Sequence, residues 1–173
     1  MDKSNLHTQL RQSHEAFIQY IGKLSQDDFM RTKNEKWTAG QHLEHIVLAV
    51  KPVRQAFTLH RFILKMVWGK TNRESKTYEA LVNKYKLKLE NGGRASARFV
   101  PKPVQYDQRE RIIRSLTNEL KSLLDKVEKY TEEDLDLYIL PHPLLGKLTL
   151  REMLYFTIYH VHHHQELAMK NFS

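Results

Sequence analysis

Apolar residues recur along the chain at three-, four- and seven-residue steps, and no run of alternating β-branched residues competes with them. This pattern predicts an all-α protein. The first helix is expected over residues 4–24 on Leu6, Leu10, Phe17, Ile21 and Leu24, with Ser25 capping a short turn at 26–29. A second begins at Thr38, where Thr-Ala-Gly-Gln sets a capping hydroxyl three residues ahead of Gln41, and runs through Leu43, Ile46, Val47 and Val50. Pro52 should break or kink it, because proline removes a helical donor and clashes with the preceding turn. An apolar piece over 53–68 should continue in a new direction and stop at Gly69. Residues 75–89 read as a basic amphipathic helix, and 91–106 as a loop containing Gly92, Gly93, Pro101 and Pro103. A third long helix is expected from an Asp107-Gln-Arg-Glu110 capping box, carrying Ile112, Ile113, Leu116, Leu120, Leu123, Leu124 and Val127.

Thr131-Glu-Glu-Asp134 can start a single turn, and Pro141-His142-Pro143 must be extended, since a residue before proline is pushed out of the α region. The last helix is announced by Gly146 and a Thr149-Leu-Arg-Glu152 capping box, and its face follows Met153, Thr157, His160, His164 and Leu167. Four long helices with one long connection between the second and third describe a four-helix bundle. The chain, residues 1–173, reads as a single domain long enough to bury roughly 70% of its unfolded surface.

On that last face the chemistry begins. Within His160-Val161-His162-His163-His164, a helical turn of about 100° per residue puts His164 about 40° from His160 and His163 about 60° the other way, with His162 on the far side. The i,i+4 pair His160 and His164 is the arrangement in which a helix chelates a divalent transition metal. Both would otherwise be core imidazoles in need of polar partners, and metal is the more economical reading. Cysteine is absent, which removes disulfides, thiolate ligands and a cysteine nucleophile, so a soft metal site must use histidine with carboxylate or water. A site with an open position needs a third ligand, for which His42 and His45 on the second helix come first, then His142, His60, His14 and His7. Composition does not choose among them.

The formal net charge of +8 belongs to one stretch. Residues 60–102 hold eleven Lys and Arg against Glu74, Glu79 and Glu90, which leaves the remainder neutral. The plain reading is a solvated connector, and the sharper one a basic rim that attracts an anionic cosubstrate. Neither a recognition-helix motif nor a glycine-rich phosphate loop accompanies it, which disfavours nucleic acid as a partner. The N-terminus opens polar and the longest apolar run, residues 46–50, is far too short to span a bilayer. A cytoplasmic protein with no membrane partner is expected.

Two blocks of sequence resemble a known family. Trp37-Thr38-Ala39-Gly40-Gln41-His42-Leu43-Glu44-His45-Ile46 is similar to the tryptophan-led helix start of the DinB-like superfamily, and Pro141-His142-Pro143-Leu144-Leu145-Gly146-Lys147-Leu148-Thr149-Leu150 with His160 to His164 resembles its last loop and helix. The resemblance implies a metal held by His45, eight residues after the tryptophan, with His160 and His164. It implies an enzyme that is a thiol-dependent S-transferase of the bacillithiol or mycothiol kind, or an isomerase. Relatives often carry arginine before the final ligand and Gln or His three residues after it, where this chain has His163 and Leu167.

Two reactions follow from such a site. Three neutral imidazoles leave the ion its full charge, so a low-molecular-weight thiol would ionise and attack an electrophile, or water would ionise and hydrolyse an amide or ester. The second needs a general acid or base, with Glu166 and Glu44 nearest in sequence, although Glu44 lies about 100° from His45. His42, His163 and Glu166 are the candidates to support the ligands, and His142 to cap or line the site. Trp37 is expected to pack the loop before the second helix. Zinc or nickel is the expected metal, with iron and copper also compatible. A small-molecule substrate and a second copy of the chain are the expected partners, and a non-catalytic stress-response module is the reading from another class.

Overall fold

The computed structural model describes residues 1–33 and 36–172. Helix α1 (Lys3–Gly22) starts where Asp2 accepts a hydrogen bond from the Asn5 amide, and it buries Leu6, Leu10, Phe17 and Ile21, the stripe its periodicity predicts. Ser25 caps α2 (Gln26–Met30) by accepting from the Asp28 amide. Helix α3 (Ala39–Thr58) opens on Thr38, which closes a reciprocal capping box with Gln41. The first turn of α3 needs Gly40, because a Cβ there would lie 2.6 Å from the Phe29 ring.

Pro52 does not end α3, contrary to expectation. The helix runs through it to Thr58, and the change of direction comes at Leu59 and His60, before α4 (Arg61–Trp68). An interior proline costs about 3 kcal/mol, and Val50, Val53, Ala56 and Phe57, all buried around it, supply the packing that offsets this. His60 caps α4 with its Nδ1, and Gly69, at φ 88°, closes it. Thr77 caps α5 (Tyr78–Glu90).

The 91–106 stretch is a loop broken by a 3-10 turn at Ala97–Phe99, and a second such turn, Tyr106–Gln108, leads into α6 (Arg109–Val127). The Asp107–Glu110 capping box does not form. Residue 107 already sits inside a helical turn, so it cannot adopt the extended backbone of a cap, and Gln108 instead reaches back to the Gln105 amide. Thr131 caps α7 (Glu132–Leu137).

The chain is mostly helical, with one departure from an all-α reading. Strands β1 (Ile139–His142) and β2 (Gly146–Thr149) form an antiparallel hairpin in which Ile139 faces Thr149 and His142 faces Gly146. Pro141 and Pro143 bar helix here, and Gly146, at φ 77°, supplies the positive φ the return requires. The hairpin feeds directly into α8 (Leu150–Met169) through the Thr149–Glu152 capping box.

Helix α3 packs on α6 and α8, α1 packs on α8 and α6, and α5 lies against α8. Leucines and isoleucines from α1, α3, α6 and α8 make the core. Among the described residues no helix is long and apolar enough to cross a membrane.

The start of α8 is fixed by charge as well as packing. Glu152 is fully buried and accepts from Arg73 at 2.6 and 2.7 Å and from the Lys76 amide at 2.8 Å. Burial alone would raise its pKa, but Arg73, the Lys76 and Thr149 amides and the Lys76 charge together hold it at about 2. Beside it Arg151 bridges Asp136 and Glu132. Part of the basic stretch is thus structural: Arg73 and Lys76 serve Glu152, and Arg61 pairs with Asp134.

Glu152→Gln should destabilise the protein at pH 7 by about 1.5–3 kcal/mol, the worth of charge-assisted hydrogen bonds, toward the lower end because both cations are about a third exposed. A carboxylate with a lowered folded pKa stabilises above its unfolded value of 4.5, and that contribution is lost as pH falls toward about 2. Urea unfolding of both proteins from pH 7 to 2 should therefore show the gap closing below pH 4.5. A gap independent of pH would contradict the charge argument.

Candidate metal centre

Helices α3 and α8 meet along a line of histidines. The capping box at Thr38 fixes where α3 begins, and the one at Thr149 fixes α8, so the rotation of both helices is set within a turn of their starts. His45 of α3 and His160 and His164 of α8 then point at one another, each buried to within 4–6% of full. The facing nitrogens of the three, one from each ring, all lie within 4.8 Å of one another, a cluster that could hold a metal ion. His45 Nε2 lies 3.2 Å from His160 Nε2, which lies 3.0 Å from His164 Nε2.

The outward nitrogens determine what the inward ones can offer. His45 Nδ1 is 2.6 Å from the Phe99 carbonyl, an acceptor only, so Nδ1 carries the proton and Nε2 presents its lone pair. His164 Nδ1 is 2.8 Å from His42 Nδ1, and one of that pair donates to the other. Burial pushes all four imidazoles toward the neutral form, His42 to about 3. Among the described residues none of the three clustered rings has a carboxylate partner. With His45 Nε2 unprotonated, only one of the two N···N contacts can be a full hydrogen bond, which leaves a buried lone pair unmatched. A divalent cation would satisfy all three, so the donor set fits one.

Aromatic rings close the cluster. Trp37, expected only to pack the loop before the second helix, lies parallel to His164 at 6.0 Å and 5.0 Å from His45. Phe156 stacks on His160 at 4.7 Å. His163 is half-buried, with its ring 5.2 Å from that of His164 and stacked on Tyr159 at 6.1 Å. His162 points to solvent. Glu166 is exposed, and its charge acts on His163 rather than on a clustered ring.

Of the other histidines, three lie away from the cluster and one lines its cavity. His7 faces Glu128, His14 is buried with Nδ1 on the Leu10 carbonyl, and His60 caps α4. His142 accepts from the Leu144 and Leu145 amides through Nδ1, packs on Phe156 at 4.2 Å and is held at about 4 by burial. It closes its own turn and lines the cavity.

A cavity of about 960 Å³ opens from the three histidines, and His142, His163, Arg94 and Arg98 also line it. Among the described residues no Asp or Glu does. The Phe99 carbonyl escapes a reading of side chains because any residue there would offer one. Arg94 and Arg98 had a signal in the basic stretch, and they sit where a basic rim would be.

In the metal-free protein, NMR should find His45 with its proton on Nδ1, and His42 neutral from pH 7 down to pH 4, since its folded pKa lies far below the usual 6.5. A His42 titration near 6.5 would contradict the burial described.

No curated protein and no solved structure matches the chain. A profile of the DinB superfamily matches residues 9–168, a span that includes Trp37, the clustered histidines and the hairpin between α7 and α8. On that match, covering nearly its whole length, the chain belongs to the DinB superfamily.

Proposed function

We propose that this protein is a metal-dependent transferase that uses a low-molecular-weight thiol, with His45, His160 and His164 holding one divalent ion. The observation that carries the reading is the convergence of three neutral imidazoles on the wall of a large cavity, with no carboxylate there among the described residues. Zinc or nickel is the expected ion, and iron and copper are also compatible with three imidazoles. When bound, such an ion supplies the positive charge that makes a thiol or water brought to it more acidic.

The rest is done by this chain's own groups. The Phe99 carbonyl and His42 hold the rings of His45 and His164 in one orientation. Trp37 and Phe156 cover the rings and exclude water from that side. His163, at the cavity wall beside His164, can accept or return a proton, with Glu166 supporting its charged form. The lack of Cys in the chain fits a reaction whose sulfur arrives with the cosubstrate. Hydrolysis of an amide or ester, the other use of the same charge, is less well supported because the described cavity wall carries no carboxylate to serve as its acid or base. On this reading residues 1–173 form one domain, its long helices α1, α3, α6 and α8 making a four-helix bundle and α4 and α5 lying in the connection.

Untagged protein should carry roughly one divalent ion per chain, and His45→Ala, His160→Ala and His164→Ala should each lose it, measured by plasma emission spectroscopy. A model aryl chloride should then be conjugated only with an added small thiol, and a chelator should stop the reaction. Ester hydrolysis without thiol would favour the hydrolase. Salt-sensitive DNA binding that survives all three substitutions, with no turnover, would favour a non-catalytic module.

A further inference from the structure

The cavity is much longer than a metal site and a small thiol require. On α3, His45, Ala49, Pro52 and Ala56 line it, with Val53 and Gln55 to either side, and Leu59 follows just past the helix end. The first four fall within about 60° of arc and span about 16.5 Å of helix rise, so the cavity is a trench along that face of α3. Two alanines in its floor leave it hollow, and Trp68 of α4 lines it as well. Its volume lies at the upper end of the range for small-molecule sites, roughly 300–1,000 Å³.

Among the described residues, Lys, Arg, Asp and Glu enter the lining at one loop alone. Arg94 and Arg98 are exposed, line the trench, and have no acidic partner among the described residues. Arg98 immediately precedes Phe99, whose carbonyl accepts from His45, which puts it at the histidine end, and Arg94 lines the cavity from the same loop. The Arg98 guanidinium rests 4.8 Å from the centre of the Phe99 ring. Among the described residues the channel is thus apolar and free of carboxylates, with Arg98 beside the histidines and Arg94 on the same loop.

We propose that the trench binds an elongated amphipathic substrate, a linear hydrocarbon chain lying along α3 with an anionic head group at Arg94 and Arg98. The ligand's charged end then sits beside the histidines and its tail extends past Ala56 toward Trp68. This rests on the metal-centre reading for which end of the ligand reacts, but not for binding itself. Small changes in the floor should therefore set chain length, and the arginines should set the preference for an anion.

Calorimetry on metal-free protein and on the His160→Ala variant tests this, with straight-chain carboxylates below their micelle concentrations. Dodecanoate should bind at one per chain in both, and octanoate roughly a hundredfold more weakly, since four buried methylenes are lost. Arg94→Ala combined with Arg98→Ala should weaken dodecanoate about tenfold while leaving dodecanol unchanged. Ala56→Trp should abolish the preference for dodecanoate over octanoate, with circular dichroism checking that the helix content is kept. If that variant unfolds, the bulkier but milder Ala56→Leu should still narrow the preference. Equal affinity for both carboxylates in the unaltered protein, or dodecanoate binding indifferent to both arginines, would overturn the proposal. Failure of the unaltered protein to bind a divalent ion, with dodecanoate binding intact, would count against the metal centre alone.

Discussion

Burial of neutral imidazoles at the contact between α3 and α8 is the constraint around which the other features arrange themselves. A buried imidazole must place one proton and one lone pair, and at His45 the proton side is committed outward. His45 gives its proton to Phe99, so its lone pair is directed inward, and His164 is held from outside by its contact with His42. The same hydrogen bond from His45 pins the 91–106 loop to α3, and with it Arg94 and Arg98. The histidine cluster and the two arginines of the cavity wall are thus parts of one arrangement.

Holding it requires that α8 enter the core at a fixed rotation. Glu152 and Arg151, consecutive residues in the first turn, are tied to the 73–76 segment and to α7 by ion pairs whose inner partners are buried. His160 follows two turns later, still in the core, so an error in the first turn would be carried directly to the cluster. The hairpin before it shortens the path by which α7 returns to α8, and brings His142 onto the cavity wall.

The helices were legible because leucines and isoleucines repeat at helical spacing and because Ser25, Thr38, Thr131 and Thr149 carry recognisable caps. The pairing of His160 with His164 was legible from the four-residue step alone. That His45 rather than His42 completes the cluster could not be read from periodicity, since both face α8, and only the resemblance to DinB-like proteins separated them. Pro52 misled because its local cost is visible in the sequence and the packing that offsets it is not. Asp107 misled because a cap depends on backbone geometry that the preceding 3-10 turn had already used. The trench was illegible because its walls come from α3, α4, α5, α8, the hairpin and two loops, distant in sequence and joined only by the fold.

The central claim is that three imidazoles hold one ion and leave a position open to sulfur. X-ray absorption at the zinc edge, on protein loaded with one equivalent and then given a small thiol, tests it most directly. The account predicts three imidazole nitrogens at about 2.0–2.1 Å before the thiol, and an added sulfur at about 2.3 Å after it. Two or fewer imidazoles, or a first shell that the thiol leaves unchanged, would contradict it.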